Sequence, residues 1–462
     1  MAEKSAIPVE LGTEKIGRLL KQYALPAIIA QTASSLYNMV DSIFIGQGVG
    51  PLAISGLAVT FPLMNLSTAF GTLVGAGAAT MLSVLLGQKN YKAANKVLGN
   101  VVSLNVILGL LFMAVALIFI DPILYFFGAS ENTLPYAKEY IQIILYGNIV
   151  THLYFGLNAA MRSSGNPKKA MALTIFTVVF NTILDPIFIF VFDMGIAGAA
   201  WATVIAQTAA MIVVLKHFSD KSRAFHFEKG IFKLDPRVAK DSLVIGMGPF
   251  LMNAAACLVT LFINQQLRDY SGDLGIGSYG ICNRFIFMFI MICMGLNQGM
   301  QPIAGYNYGA KQYSRVKEVF WLTAKFGTIV TTICFCIGMF IPRLASGIFT
   351  HDEELLNMSA EGLRILTIGF PIVGFQMIGT NFFQCLGMVK KSIILSLSRQ
   401  LLFLLPLLYC LPLWMGANGV WMSFPISDVL SAILTAILLR RLFKKFNMLK
   451  DGEESTILGS NL

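Results

Sequence analysis

The chain consists of long apolar segments separated by short breaks that are charged or rich in Gly and Pro. A helix rises about 1.5 Å per residue, so roughly 20 apolar residues cross the ~30 Å hydrocarbon core of a bilayer. The segments are continuous and lack the short alternating pattern of β-barrel strands, which favours helices. They predict twelve membrane-spanning helices near residues 16–45, 52–86, 93–127, 137–161, 168–192, 196–218, 239–267, 276–306, 315–342, 354–386, 392–413 and 418–440.

Composition supports a place in the membrane. Of the 462 residues, 56% are hydrophobic and only 13% are charged, whereas soluble proteins contain about 25% charged residues. The net charge of +10 does not indicate nucleic-acid binding, because the basic residues alternate with apolar runs. The seven cysteines are odd in number and have no Cys-x-x-Cys spacing, so neither a disulfide framework nor a zinc site is predicted. The N-terminal stretch MAEKSAIPVELGTEK has no early apolar core, and we expect no cleavable signal peptide.

Charged residues at the ends of the spans alternate in sign along the chain. Acids follow the odd-numbered spans, and lysines or arginines follow the even-numbered ones. The basic residues are Lys89, Lys92, Lys96, Arg162, Lys168, Lys169, Lys311, Arg315, Lys317, Lys390, Lys391, Arg440, Arg441, Lys444, Lys445 and the seven between Lys216 and Lys240. Because basic loops stay on the cytoplasmic side, both termini are predicted to be cytoplasmic.

The chain also repeats itself. Gly87–Val97 (GQKNYKAANKV) matches Gly309–Val319 (GAKQYSRVKEV) at an offset of 222 (309 minus 87), and Gly165 matches Gly387 at the same offset. One offset shared by separate places indicates a duplicated six-helix unit. Because six is even, each copy enters and leaves on the same side, which predicts parallel repeats.

The duplication predicts an all-α membrane protein with two six-helix lobes. We assign residues 1–218 to the first lobe, 219–238 to a cytoplasmic linker, 239–446 to the second lobe and 447–462 to a cytoplasmic tail. Two lobes around a V-shaped central cleft are typical of transporters, in which rocking of one lobe against the other alternates access. A channel or an intramembrane enzyme could also have twelve helices.

Ionisable residues inside a bilayer are costly and usually functional. Asp41 in the first span and Asp185 in the fifth are predicted to lie at similar depth in the outer half of the first lobe. Asn181 lies one turn before Asp185 on the same helix face, and Thr203 in the sixth span offers a hydroxyl. Buried carboxylates share a proton or bind a cation, and such oxygens suit Na⁺. The structural alternative is that Asp41 caps its helix and that Asp185 bonds backbone freed near Pro186.

The second lobe carries different charges. The same offset places Ile263 and Leu407 where the first lobe has its two acids. Arg284, Arg399 and Asp428 lie instead within spans eight, eleven and twelve. An acid between two arginines is first interpreted as a structural ion cluster, because unpaired charges there would be prohibitive. A role in substrate binding or gating remains the alternative.

Two further residues stand out in the first lobe. Pro26 interrupts the first span and leaves backbone unpaired unless the helix bends. The bend could respond to the state of Asp41 or could be a static kink. His152 in the fourth span is interpreted as a hydrogen-bonded core residue.

Several short motifs occur together in this chain. They are Leu25-Pro26, VDSIFIG around Asp41, NTILDP from Asn181 to Pro186, GIAGAAWAT at 195–203, and the GQKN and GAKQ repeats. Over essentially the whole chain this combination resembles the multidrug and toxic compound extrusion (MATE) family. The absence of acids from spans seven and ten resembles its DinF-type prokaryotic branch, which includes MepA-like pumps.

The resemblance implies export of cationic, amphipathic compounds in exchange for Na⁺ or H⁺, with no other cofactor. It also implies a bend of the first span at Pro26, and it offers no role for the charged residues of the second lobe. By position, the family's cation site, with Na⁺ as the metal in sodium-coupled members, falls on Asp41, Asn181, Asp185 and Thr203.

These observations predict a secondary active antiporter and not an enzyme, in the inner (plasma) membrane of a bacterium or archaeon. We expect small-molecule substrates, a surrounding lipid bilayer, no nucleic-acid partner and a monomer. The main rival is a lipid-linked oligosaccharide flippase, for which Arg284 and Arg399 would bind a pyrophosphate. An intramembrane aspartyl protease would require a GxGD-type motif around Asp41 or Asp185, and neither has one.

Overall fold

The computed structural model describes residues 8–228, 230, 232–350 and 352–453. In these ranges the chain forms helices and connecting loops, and no β-strand occurs in them. The α-helices are Glu10–Thr13, Ile16–Gly48, Pro51–Gly87, Tyr91–Ile118, Ile120–Phe126, Leu134–Tyr146, Asn148–Ser163, Pro167–Pro186, Gly195–Ser219, Pro236–Gly309 (interrupted at Gly272), Tyr313–Phe340, Pro342–Gly347, Glu353–Thr367, Phe370–Cys385, Val389–Leu397, Leu405–Cys410, Pro412–Met415 and Ala417–Phe446. Two π-helical turns are Ile187–Val191 and Ser398–Leu404. The predicted all-α architecture is confirmed.

Helices occupy all twelve segments predicted to span the membrane. Among the described residues, nine helices are long and apolar enough to cross a bilayer. A tenth span is the pair Glu353–Thr367 and Phe370–Cys385, whose axes are bent by 55°. The first predicted span is the helix Ile16–Gly48, and the fourth is a pair of helices on either side of Gly147. The chain is therefore a multi-pass membrane protein, and the spans keep their predicted order.

The duplicated sequence motifs have the same local conformation. Lys89 and Lys311, which match each other in the two repeats, both have a φ of 59°, in the left-handed region. Each lies just before the helix that begins the third or ninth span. Asn90 caps the third span by accepting a hydrogen bond from the Ala93 backbone nitrogen at 3.2 Å. Its counterpart, Gln312, provides no such cap.

The ninth span is capped instead by a residue far along the chain. Asp451 accepts hydrogen bonds from Ser314, through its backbone nitrogen at 3.0 Å and through its hydroxyl. The Gly452 nitrogen donates to the Lys311 carbonyl at 2.9 Å, and the Tyr313 hydroxyl donates to the Glu453 carbonyl at 3.2 Å. Residues 451–453 thus replace the cap that Gln312 lacks.

The described residues form two compact units. The first contains residues 8–13 and 29–250, and the second contains residues 14–28 and 251–453. The start of the first span therefore packs within the second unit, where Arg315 donates to the Glu14 carbonyl at 2.6 Å. The segment 219–238, predicted to be a linker, packs within the first unit, where Ser103 donates to the Phe232 carbonyl at 2.6 Å.

An apolar cluster in the first unit positions the helices that carry the candidate site. Ile45, Ile189 and Ala199 are almost fully buried in this cluster. Each lies four residues from a candidate site residue, on spans one, five and six respectively. Burial of side chains such as Ile contributes about 1.5–3 kcal/mol each, so this packing holds the three helices in register.

Candidate functional site

The four residues predicted to form a cation site come together inside the first unit. Asp185 is fully buried, and Asp41, Asn181 and Thr203 are each less than a tenth exposed. With the Asn181 amide oriented to satisfy both neighbours, its nitrogen donates to Asp185 Oδ2 at 3.0 Å. The Asn181 oxygen accepts from the Thr203 backbone nitrogen, also at 3.0 Å. The amide therefore joins spans five and six beside the carboxylate.

Local helix geometry places these groups. Asn181 and Asp185 are four residues apart on Pro167–Pro186, so they share one helix face. The α-helix ends immediately after Asp185, and the π-helical turn Ile187–Val191 follows. Such turns are rare and occur frequently at functional sites.

The two acids are incompletely satisfied. Asp41 and Asp185 lie close enough for their charges to interact. Oδ1 of Asp41 and Oδ1 of Asp185 are buried and have no hydrogen-bond partner among the described residues. Buried polar atoms are nearly always hydrogen-bonded, and buried charges are nearly always paired. These oxygens therefore call for a proton or a cation.

The oxygen donors fit a hard monovalent ion better than a transition metal. Two carboxylates, the Asn181 amide and the Thr203 hydroxyl offer oxygen ligands, which Na⁺ prefers to nitrogen or sulfur. Within the part of the chain that the structure describes, no three His, Cys, Asp or Glu side chains are grouped to hold a metal ion. The residues present fit Na⁺ or one shared proton.

Two tyrosines accompany the site, and the sequence analysis did not identify them. The Tyr37 hydroxyl lies 3.0 Å from Thr203 Oγ1, and Thr203 itself donates to the Ala199 carbonyl at 3.1 Å. Tyr140 of span four is buried and within electrostatic range of Asp41. Tyr37 lies four residues before Asp41, so helical spacing could have indicated it, whereas no local signal indicates Tyr140.

The second unit contains a charge pair and not the predicted cluster of three. Arg399 Nε lies 2.7 Å from Oδ1 of the buried Asp428, and Ser427 donates to the Arg399 carbonyl at 2.9 Å. Arg284 is exposed and does not take part. The prediction that Arg284 joins the cluster is wrong because Phe285 and its buried neighbours face inward, which turns position 284 outward.

The structure also places the two remaining candidates. Pro26 is buried within the continuous helix Ile16–Gly48, close to the point where the chain passes from the second unit to the first. His152 is fully buried, and its Nε2 lies 2.9 Å from the Ser67 carbonyl. His152 is confirmed as a hydrogen-bonded core residue.

Comparisons with known proteins relate the whole chain to one family. A family model described as MatE matches residues 26–187 and 249–410. The multidrug export protein MepA of Staphylococcus aureus (strain MSSA476) is 28% identical over 426 residues, which are 92% of this chain and 94% of the relative. The same model thus matches the chain twice, at nearly the offset of the sequence repeats, which confirms the internal duplication.

Solved structures give the same result. The MATE multidrug transporter DinF-BH, solved in complex with a dye, is 37% identical, with a TM-score of 0.88 over 95% of this chain and 98% of that chain. An outward-facing multidrug resistance MATE family transporter of the MOP superfamily has a TM-score of 0.90 over 97% of this chain and 100% of that one. At 22% identity, the latter similarity shows the fold alone.

Proposed function

Because this chain belongs to the MatE family, we propose that it is a secondary active antiporter that exports cationic, amphipathic compounds in exchange for Na⁺ or H⁺. The resemblance to the DinF- and MepA-like branch, predicted from the sequence, is confirmed by the relatives. MepA is a multidrug export protein, and DinF-BH was solved with a bound dye. We extend small-molecule export to this chain on that basis.

The observation that carries the proposal is the buried pair Asp41 and Asp185, each with an unpartnered oxygen. Two carboxylates in one buried site cannot both ionise without a compensating charge. Binding of Na⁺ supplies that charge, and protonation removes part of the need for it. The site is therefore suited to exchange one load for another.

Coupling follows from the helices that the site joins. Asp41 and Tyr37 lie on span one, Asn181 and Asp185 on span five, and Thr203 on span six. A coupling ion shifts a conformational equilibrium only through its different affinity for two states. We infer that the ion favours one arrangement of span one against spans five and six. The buried Pro26, which removes a backbone hydrogen bond within span one, would be the point at which this helix adjusts.

The flippase alternative has less support. Recognition of a pyrophosphate would need available basic groups within the membrane. The Arg399 side chain is already paired with Asp428, and Arg284 lies apart from both on an exposed face. The geometry therefore favours the exporter.

The decisive experiment is ethidium efflux from proteoliposomes in which Na⁺ and H⁺ gradients are imposed separately. Efflux driven by an inward Na⁺ gradient at constant pH identifies sodium coupling, and efflux driven only by a pH gradient identifies proton coupling. If neither gradient drives efflux of ethidium from vesicles containing folded protein, the antiporter proposal is overturned.

A further inference from the structure

A break in the tenth span brings an acid into the interior of the second unit. Gly369 separates the helices Glu353–Thr367 and Phe370–Cys385, which are bent by 55°. A Cβ at position 369 would lie 3.2 Å from Asp428 Oδ2, so the Asp428 carboxylate packs directly against the break. The N-terminus of a half-helix carries partial positive charge, which favours an anionic group. Asp428 is thus held as a carboxylate and not merely buried.

The cation paired with this carboxylate comes from an unusual backbone segment. Arg399 is the second residue of the π-helical turn Ser398–Leu404. Its side chain remains about a quarter exposed, whereas that of Asp428 is almost fully buried. The neighbouring Gln400 has a buried Oε1 with no hydrogen-bond partner in the described part of the chain. The guanidinium therefore approaches Asp428 from an accessible side.

Aromatic rings surround the same face of span twelve. Trp421, Phe424 and Asp428 follow one another at spacings of three and four residues, which places them on one face. The Tyr279 ring is stacked on Phe424 with 5.8 Å between centroids and lies 6.3 Å from Trp421. Tyr279 is also within electrostatic range of Arg399. A carboxylate beside aromatic faces is the combination that binds organic cations.

The first unit has the same architecture without the charges. Gly147 breaks span four at the position that corresponds to the break in span ten, and a Cβ there would lie 2.6 Å from Val204. Gln207 is the counterpart of Asp428 at the offset that relates Gly195 to Gly416, and it accepts a hydrogen bond from the Thr151 hydroxyl. A neutral amide and hydroxyl thus satisfy this fold position in one copy. The ion pair in the other copy is not required by the fold.

We propose that Asp428, with Tyr279 and Phe424 beside it, forms a second cation-accepting site for organic cations, in which Arg399 acts as a tethered counter-ion that the substrate displaces. This inference rests on the proposed export of cationic compounds and assigns them a contact in the second unit. Arg399 keeps the buried carboxylate compensated when no substrate is bound, because an unpaired buried charge is strongly unfavourable. The substrate replaces one cation by another, so the net charge at Asp428 is unchanged.

The test measures equilibrium binding of tetraphenylphosphonium to the purified full chain in detergent, at constant pH and without Na⁺. Removal of the internal competitor in Arg399→Gln should tighten binding about tenfold, because the apparent affinity is reduced by the fraction of time that the site is blocked. Arg284→Gln is the matched control. It removes the same charge from an exposed position outside the pair and should leave the affinity unchanged.

A double variant separates binding from structural support. Arg399→Gln with Asp428→Asn replaces both partners by neutral groups of similar shape, which proteins often tolerate. It should fold and should bind tetraphenylphosphonium roughly tenfold more weakly than Arg399→Gln alone, because the attracting charge is lost. Arg399→Lys keeps a competing cation and should retain an affinity close to that of the unmodified chain.

Each result decides the matter. Tighter binding in Arg399→Gln that is lost in the folded double variant supports the site. Equal affinity in the unmodified chain, Arg399→Gln and the double variant overturns it and leaves a structural ion pair, while ethidium efflux would still support the exporter. If the unmodified chain neither binds nor exports tetraphenylphosphonium and ethidium, both the proposed function and this inference are overturned.

Discussion

The Asn181 side-chain nitrogen lies 3.0 Å from Asp185 Oδ2, one turn away on the same face of span five. This hydrogen bond orients the carboxylate and leaves Oδ1 without a partner among the described residues. Asp185 is therefore positioned by the protein, whereas its remaining oxygen is available for an ion. Asp41 supplies a second such oxygen from span one.

Asp185→Asn should abolish efflux while the protein remains folded in the membrane. The amide has nearly the shape of the carboxylate but carries no charge, so it neither binds a proton at neutral pH nor compensates Na⁺. Ethidium efflux from proteoliposomes is the measurement. Asp193→Asn is the matched control, because Asp193 is an exposed acid in the loop between spans five and six. Normal efflux by Asp185→Asn would contradict the cation-site assignment.

Protons and Na⁺ should compete if Asp41 and Asp185 form one site. Protonation removes a charge and a lone pair from a ligand oxygen, so apparent Na⁺ affinity should weaken as the pH falls. The midpoint belongs to the pair and not to either residue. Na⁺-dependent tryptophan fluorescence between about pH 5.5 and about pH 8 covers neutral conditions on both sides of the proposed exchange. A response that is independent of pH and persists in Asp41→Asn would exclude the shared site.

Asp451→Ala should destabilise the second unit through loss of the cap on span nine. Loss of an N-terminal helix cap costs about 1 kcal/mol. Burial raises the pKa of Asp451, but hydrogen bonds from Ser314 outweigh this and hold the pKa below its usual value. The stabilisation is therefore present above the unfolded-state pKa of about 4 and is lost as the pH falls through the folded-state pKa. Thermal unfolding in detergent at neutral and acidic pH measures both effects.

The first repeat supplies the control for this cap. Asn90→Ala removes the equivalent bond to the Ala93 nitrogen and should cost a similar amount, about 1 kcal/mol. Because an amide does not titrate, that loss should be the same at both pH values. A pH-independent effect of Asp451→Ala, or no effect at all, would show that the tail does not cap span nine in solution.

Cysteine labelling tests the predicted orientation. An impermeant thiol reagent applied outside should reach Cys introduced at Asn132 or Glu353 and should miss Cys introduced at Lys168 or Lys390, all of which are exposed positions. The experiment needs a background without the exposed native residues Cys336 and Cys410. Labelling only at the two lysine positions would reverse the topology.

Much of the fold could be predicted because membrane crossing leaves a strong linear signal. The length of an apolar run and the sign of the flanking charge depend on neighbouring residues, so span order followed from the sequence. The convergence of Asp41, Asn181, Asp185 and Thr203 followed from depth along each helix together with the family resemblance. Their role as a cation site stays a prediction.

Rotation of a helix about its axis was harder to predict. Arg284 lies at a depth consistent with pairing to Asp428, but depth says nothing about which side of span eight it occupies, and the residue is exposed. The cap of span nine was missed because Ser314 and Asp451 are 137 residues apart, so no local pattern connects them. Contacts of this kind depend on tertiary packing.

The docking of residues 451–453 has a practical consequence for protein engineering. A fluorescent protein or affinity tag joined directly after Phe446 would remove Asp451 and expose the Ser314 backbone nitrogen at the start of span nine. It would also remove Asn447, which accepts a hydrogen bond from Lys317 at 2.8 Å. Fusions intended to report on the intact protein should therefore begin beyond Glu453.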